Sequence, residues 1–147
     1  MKNLAIFGSG RGSNAKNICD YFSNNSRVNV SCIVTNKKDA YIITHAKKYD
    51  VPVVHTTTQK MNEFDQLKKT LDKYNVDFIV LAGFLLKIPS KIINSYSKKI
   101  INIHPSLLPK YKGLNTHEKA IENNEQYSGC TVHLVNSKLD SGKIILQ

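Results

Sequence analysis

Several features are scarce in this 147-residue chain, and each scarcity excludes a class of protein. No apolar stretch approaches the ~20 residues of a membrane span. The first apolar run, Leu4 to Phe7, is too short for a signal-peptide core and leads straight into glycines. Cysteine is confined to Cys19, Cys32 and Cys130, an odd number without a Cys-x-x-Cys pairing. That predicts free thiols in a reducing cytoplasm, acting as small core hydrophobes. No His/Cys cluster has ligand spacing, so no metal is expected. Arginine is nearly absent. Arg11 and Arg27 stand against a lysine-dominated formal net charge of +10. The lysines are scattered, and base recognition favours clustered Arg with aromatic platforms, so nucleic acid is not an expected partner. A positive field would still collect small anionic substrates.

What is present alternates. Strand-like runs occur at Leu4–Phe7, Val28–Val34, Val51–His55, Val76–Leu81, Ile100–His104, Cys130–Val135 and Lys143–Leu146. Between them, apolar residues recur at helical spacing over Ala15–Phe22, Asp39–Tyr49 and Lys60–Tyr74. Shorter helices are expected at about Ser90–Tyr96 and Thr116–Asn123. Strands spaced by helices of this length predict an α/β fold: a three-layer, open, mainly parallel sheet with helices on both faces, Rossmann-like. The length suits a single domain over 1–147, burying roughly 70% of its unfolded surface.

The most informative segment is Ile101-Asn102-Ile103-His104-Pro105-Ser106-Leu107-Leu108-Pro109. In a strand, side chains two apart share a face, so Asn102 and His104 project together. Pro105 has no N–H to give and stops the ladder there. An amide donor and an imidazole then sit at a strand's C-terminal end, where open α/β sheets place ligands. An amide N–H can steady a developing oxyanion, and a His can move protons near neutral pH. The competing reading is a polar loop whose Asn and His satisfy local backbone groups.

Two further segments bear on that choice. Gly8, Gly10 and Gly12 lie between the first strand and the first helix, where backbone amides can point at an anion. No Gly-Lys-Ser/Thr follows, and the third glycine comes one residue early for G-x-G-x-x-G. Thr35-Asn36 stands where a dinucleotide site needs an acid, so the loop favours a single phosphate. Arg11 or Lys99 could add charge to it. Lys138-Leu139-Asp140-Ser141-Gly142 reads by itself as a turn. Placed at the active edge, its carboxylate could orient His104 and favour the charged ring.

These residues resemble the phosphoribosylglycinamide formyltransferase family. The matching stretches are Gly10-Arg11-Gly12-Ser13-Asn14, Leu81-Ala82-Gly83-Phe84, Asn102 to Pro109, Gly113 with His117-Glu118, Thr131-Val132-His133 and Leu139-Asp140-Ser141-Gly142. They run in family order from end to end. The resemblance implies the formyltransferase fold and transfer of a formyl group from 10-formyltetrahydrofolate, as cosubstrate, to the amine of glycinamide ribonucleotide. It places catalysis on Asn102, His104 and Asp140, without a metal. It places substrate contacts on Gly12, Ser13 and Asn14 for the phosphate, on Phe84, Leu85, Leu86, Lys87 and Ile88 with the 135–140 loop for the folate, and on Pro105. His133 falls near the family's site, although a strand His is more often structural. His45, His55 and His117 carry no catalytic signal of their own. The resemblance also implies a tight turn after His104, with the Leu108–Pro109 bond cis.

Two departures stand out. Many bacterial members have Met-Arg after Gly-Phe, where this chain has Leu85-Leu86 followed by Lys87. Family members also continue for several dozen residues beyond the position of Gln147, through a strand and a C-terminal helix that this chain is expected to lack. A homodimer is left open. Two other readings stand beside the leading one: another 10-formyltetrahydrofolate enzyme such as a hydrolase, and a non-catalytic folate- or nucleotide-binding fragment.

Overall fold

A computed structural model describes residues 1–147. The chain order is β1 (Lys2–Phe7), α1 (Ser13–Phe22), β2 (Val28–Thr35), α2 (Ile42–Lys48), β3 (Val53–His55), α3 (Thr58–Asn62), α4 (Phe64–Lys73), β4 (Phe78–Leu81), α5 (Ser90–Ser95), β5 (Ile100–His104), α6 (Thr116–Glu122), β6 (Thr131–Leu134) and β7 (Ile144–Leu146). The seven strands form one sheet in the order β3-β2-β1-β4-β5-β6-β7. Neighbours from β3 to β5 pair parallel, and β6 and β7 add antiparallel. The expected mainly parallel α/β architecture is borne out. No helix is long and apolar enough to cross a membrane.

The order reverses at β1, with β2 on one side and β4 on the other. Right-handed crossovers then send helices to opposite faces of the sheet. Alternation along each strand supplies both faces. Ile6 and Ile33 join Ala15, Cys19, Ile42 and Ala46 of α1 and α2 in one buried cluster. Ala5, Phe7, Cys32 and Val34 join Met61, Leu67, Leu71 and Ile92 of α3, α4 and α5 in the other. Burial pushes the Cys19 thiol up to about 11 and the Cys32 thiol up to about 12, so both stay protonated and unreactive.

Several elements differ from the periodicity, three of them for reasons visible in the backbone. The helix expected over Lys60–Tyr74 starts earlier and is broken in two. Thr57 caps α3 by accepting the Lys60 amide at 3.2 Å, and Glu63 leaves helical geometry (φ −81°, ψ 79°) before α4. A stripe of apolar residues carries across such a break, because both pieces face the same core. The helix expected from Asp39 forms only from Ile42. The strand expected from Val51 begins at Val53, after Asp50 takes a left-handed φ of 53°.

The glycine loop is packed as well as open. A Cβ on Gly8 would lie 2.5 Å from Ile42 Cδ1, and one on Gly12 would lie 2.7 Å from Ile42 Cβ. Gly12 also adopts φ 75°, a conformation that favours glycine. Two of the three glycines therefore let α2 seat against the start of α1, and Gly10 alone faces open space.

Candidate active site

Asn102 and His104 come from the last turn of the β5 ladder, and both point to the loop that follows β6. Their partner is Asp140. Asn102 Nδ2 donates to Asp140 Oδ1 at 3.4 Å, and His104 Nδ1 lies 3.5 Å from Asp140 Oδ2. The carboxylate is 8% exposed and the imidazole 5% exposed. Asp140 Oδ2 also accepts the Gly113 amide at 2.9 Å. Asp140 has φ 43°, and a Cβ on Gly142 would sit 1.6 Å from the Leu134 carbonyl oxygen. The Asp-Ser-Gly turn therefore needs its glycine to bring the carboxylate back over β5. The three residues expected to carry catalysis lie together at the C-terminal edge of the parallel strands.

His133 belongs to the same cluster. It is paired directly with Asn102 across the antiparallel β5–β6 ladder. Its Nε2 accepts from Asn102 Nδ2 at 3.1 Å and lies 3.6 Å from Asp140 Oδ1. Its Nδ1 lies 2.9 Å from the Leu134 carbonyl oxygen and donates to it. Those partners fit a neutral ring with its proton on Nδ1. His133 thus lies beside the trio, where the family resemblance puts it. The Thr131-x-His133 alternation carried the signal, since it puts both side chains on one face of a strand.

Thr131 pairs opposite His104 and fixes the loop after the strand. Its hydroxyl donates to the Ser106 carbonyl at 2.7 Å and accepts the Leu108 amide at 3.0 Å. The Leu108–Pro109 bond is cis, as expected. Pro105 is exposed on that loop.

The cleft beside the cluster has a volume of about 120 Å³. Asn102, His133 and Asp140 form its polar wall, and Phe84, Leu86, Lys87 and Ile88 face them. Leu85 does not join that lining. It is 59% exposed, and its amide donates to Ser9 Oγ at 2.9 Å. Gly12, Ser13 and Asn14 lie at the C-terminal end of β1, on the same edge of the sheet. The first amides of α1 have no intrahelical acceptor. Arg11 lines a shallow cavity there with Ser13, Lys16, Tyr41 and His45. Lys99 does not reach this loop. It immediately precedes β5, and its carbonyl accepts the Ile79 amide at the N-terminal end of the parallel strands. A larger cavity, about 490 Å³, lies between α6 and the 106–111 loop and shares no lining residue with this cleft.

The family described as "Formyl transferase" matches residues 2–147. The chain belongs to the formyl transferase family. It is 39% identical to phosphoribosylglycinamide formyltransferase of Haemophilus influenzae, over 100% of this chain and 72% of that one. To the Escherichia coli protein of the same name it is 35% identical, over 99% and 71%. The crystal structure of phosphoribosylglycinamide formyltransferase from Anaplasma phagocytophilum superposes with a TM-score of 0.91 at 36% identity, covering 98% of this chain and 69% of that one. Glycinamide ribonucleotide transformylase 1 from Symbiobacterium toebii gives 0.92 at 32% identity, covering 99% and 71%. The formyltransferase reading is borne out over the hydrolase.

Proposed function

We propose that this chain transfers a formyl group from 10-formyltetrahydrofolate to the amine of glycinamide ribonucleotide, with Asn102, His104 and Asp140 as the catalytic residues. The observation that carries the proposal is the Asp140 carboxylate standing between Asn102 at 3.4 Å and His104 at 3.5 Å beside an apolar-walled cleft. The amine attacks the formyl carbon, and the carbonyl electrons move onto oxygen. When the tetrahedral intermediate collapses, the bond to the folate N10 breaks, the oxyanion electrons re-form the carbonyl, and the proton given up by the attacking amine is delivered to N10. Asn102 and protonated His104 stabilise the oxyanion.

The resting contacts indicate how they become available. Asn102 spends one N–H on His133 at 3.1 Å and the other on Asp140 at 3.4 Å. His104 holds the Tyr111 carbonyl at 2.9 Å through Nε2 and faces Asp140 at 3.5 Å through Nδ1. In both residues the contact to Asp140 is the longer, beyond the usual 2.7–3.2 Å of a good hydrogen bond. Those are the contacts an oxyanion displaces at least cost. Asp140 then balances the charge of the imidazolium.

The supporting subsites follow from the same edge. The open amides of Ser13 and Asn14 after Gly12 receive the ribose phosphate, with Arg11 beside them. Phe84, Leu86, Ile88 and the 135–140 loop enclose the flat pterin, and Pro105 borders the nucleotide side. The test is His104→Ala assayed for formylated nucleotide. A fall in kcat of roughly 10²–10³ with little change in nucleotide affinity is expected. Unchanged turnover would remove His104 from the reaction.

A further inference from the structure

His104 is gripped on the side away from Asp140, and nothing in the transfer chemistry itself explains the grip. Its Nε2 lies 2.9 Å from the Tyr111 carbonyl oxygen. Tyr111 sits at φ 54°, a left-handed conformation that bulky residues rarely adopt. Such a residue persists only where its surroundings hold it. Glu125, just beyond α6, supplies that hold. Its Oε1 accepts from the Tyr111 hydroxyl at 2.7 Å and from Lys110 Nζ at 2.7 Å, and its Oε2 accepts from Lys110 Nζ at 2.8 Å. The Ser106 hydroxyl donates to the Lys110 carbonyl at 2.7 Å and reaches the Tyr111 carbonyl at 3.2 Å, a second hold beside that of Glu125. The same loop reaches Asp140 through the Gly113 amide at 2.9 Å. Residues 110–113 therefore touch both members of the His104–Asp140 pair.

We propose that Glu125 is a positioning residue for His104: by clamping Lys110 and Tyr111 it aims the Tyr111 carbonyl at Nε2, fixes the ring proton there and leaves Nδ1 for Asp140 and the substrate. This rests on the catalytic reading of His104 given above. Which ring nitrogen carries the proton is set by the hydrogen bond the other makes. The groups facing the ring are few. Asp140 faces Nδ1, the Tyr111 carbonyl faces Nε2, and neutral Thr131 lies opposite in β6. Lys110 is taken up by Glu125, and Lys112 by the Ser141 hydroxyl. The two donors on Glu125, the Lys110 ammonium first and then the neutral Tyr111 hydroxyl, hold its carboxyl below the usual carboxylate range, so the clamp stays charged near neutral pH.

The experiment reads the tautomer of His104 in the full chain by long-range proton–nitrogen NMR at a pH where the ring is neutral. Wild type should show the Nε2–H tautomer alone. Glu125→Ala should show a mixture, and kcat should fall about tenfold with KM within about twofold, as for other partners that orient a working histidine. Glu125→Gln keeps an acceptor for the Tyr111 hydroxyl and should restore the single tautomer. If Glu125→Ala does not fold, Tyr111→Phe removes the hydroxyl contact while leaving the Lys110 pair, and should give a mixture with a smaller share of the second tautomer. A single Nε2–H tautomer in both variants, or an unchanged kcat with a mixed tautomer, would overturn the role. His104→Asn separates the two readings. Full activity in that variant would remove the catalytic assignment, whereas an inactive His104→Asn beside an unaltered tautomer in Glu125→Ala would remove the positioning role alone.

Discussion

The two ends of the sheet are built from different materials. In the parallel part, β1, β2 and β4 bury Ala5, Phe7, Cys32, Val34, Ile79 and Leu81 on one face, and Ile6 and Ile33 on the other. In the antiparallel end, the buried groups at the C-terminal edge of β5, in the loop after it and along β6 are His104, Ser106, Thr131 and His133, with Leu108 as the apolar member. No buried side-chain nitrogen or oxygen lacks a partner in either region. Apolar burial stabilises one end in proportion to area and tolerates small shifts. A buried polar network is worth its full value only when every member is satisfied, and it fixes geometry as it does so. Order at the antiparallel end is therefore tied directly to the catalytic trio, whereas the buried core of the parallel part supports the site only through the loops that leave its strands.

The largest effect that would test this contrast is at Asp140. Asp140→Asn keeps the shape and removes the charge that faces Asn102, His104 and His133 at once. We expect kcat to fall by roughly 10²–10³, the scale of losing a group that supports a developing oxyanion. The thermal midpoint should change far less than in a core truncation. A large stability loss with the activity of folded molecules intact would break the comparison, because it would make Asp140 a structural residue.

The converse test lies in the parallel part. Leu71, in α4, is fully buried in the cluster against β2 and β4. Leu71→Ala should cost about 2–5 kcal/mol of unfolding free energy. Denaturant titration measures this directly. Turnover per folded molecule should hold, since no residue of the cleft is in this helix. A parallel drop in kcat would show that the two ends are mechanically coupled after all.

The sequence exposed the parallel part and the catalytic trio for physical reasons. A buried parallel strand reads as a continuous apolar run, and a helix packed on it shows its spacing. Asn102 and His104 were legible because two polar residues at period 2 in such a run must share a face. Asp140 was less legible, since a carboxylate in a turn looks like any turn residue; its place at the active edge suggested a role and the resemblance made it specific. What stayed hidden depends on contacts across the chain. His133 was placed near the site by the resemblance alone, because its pairing with Asn102 joins residues 31 apart in the chain. Glu125 gave no signal, because a Glu among Asn124, Gln126 and Tyr127 reads as solvated loop. Lys99 was suggested by its charge alone; chain order already puts it just before Ile100, at the N-terminal end of a parallel strand and away from the glycine loop.

A smaller and sharper comparison sets Asp140 against Asp77, at the opposite edge of the sheet. Asp77 precedes β4, and its Oδ2 accepts the Asn3 amide at 2.9 Å while its Oδ1 accepts from Lys2 Nζ at 3.0 Å. The Asn3 amide first, and then Lys2, hold its carboxyl below the usual carboxylate range. A carboxyl depressed by folding adds stability that is fully present above the unfolded value of about 3.9 and is lost as pH falls through the lower folded value. Asp77→Asn should therefore lower the thermal midpoint slightly at neutral pH, and the gap to wild type should close as pH drops below about 3.9. Added salt should narrow the gap only in part, since it screens the exposed Lys2 pair and leaves the backbone bond. Turnover should not change, because the carboxylate stands at the end of β4 away from the cleft. A gap that persists at acid pH would show that Asp77 acts through shape rather than charge. A change in kcat would show that the edge opposite the active site is not as indifferent to the chemistry as its placement requires.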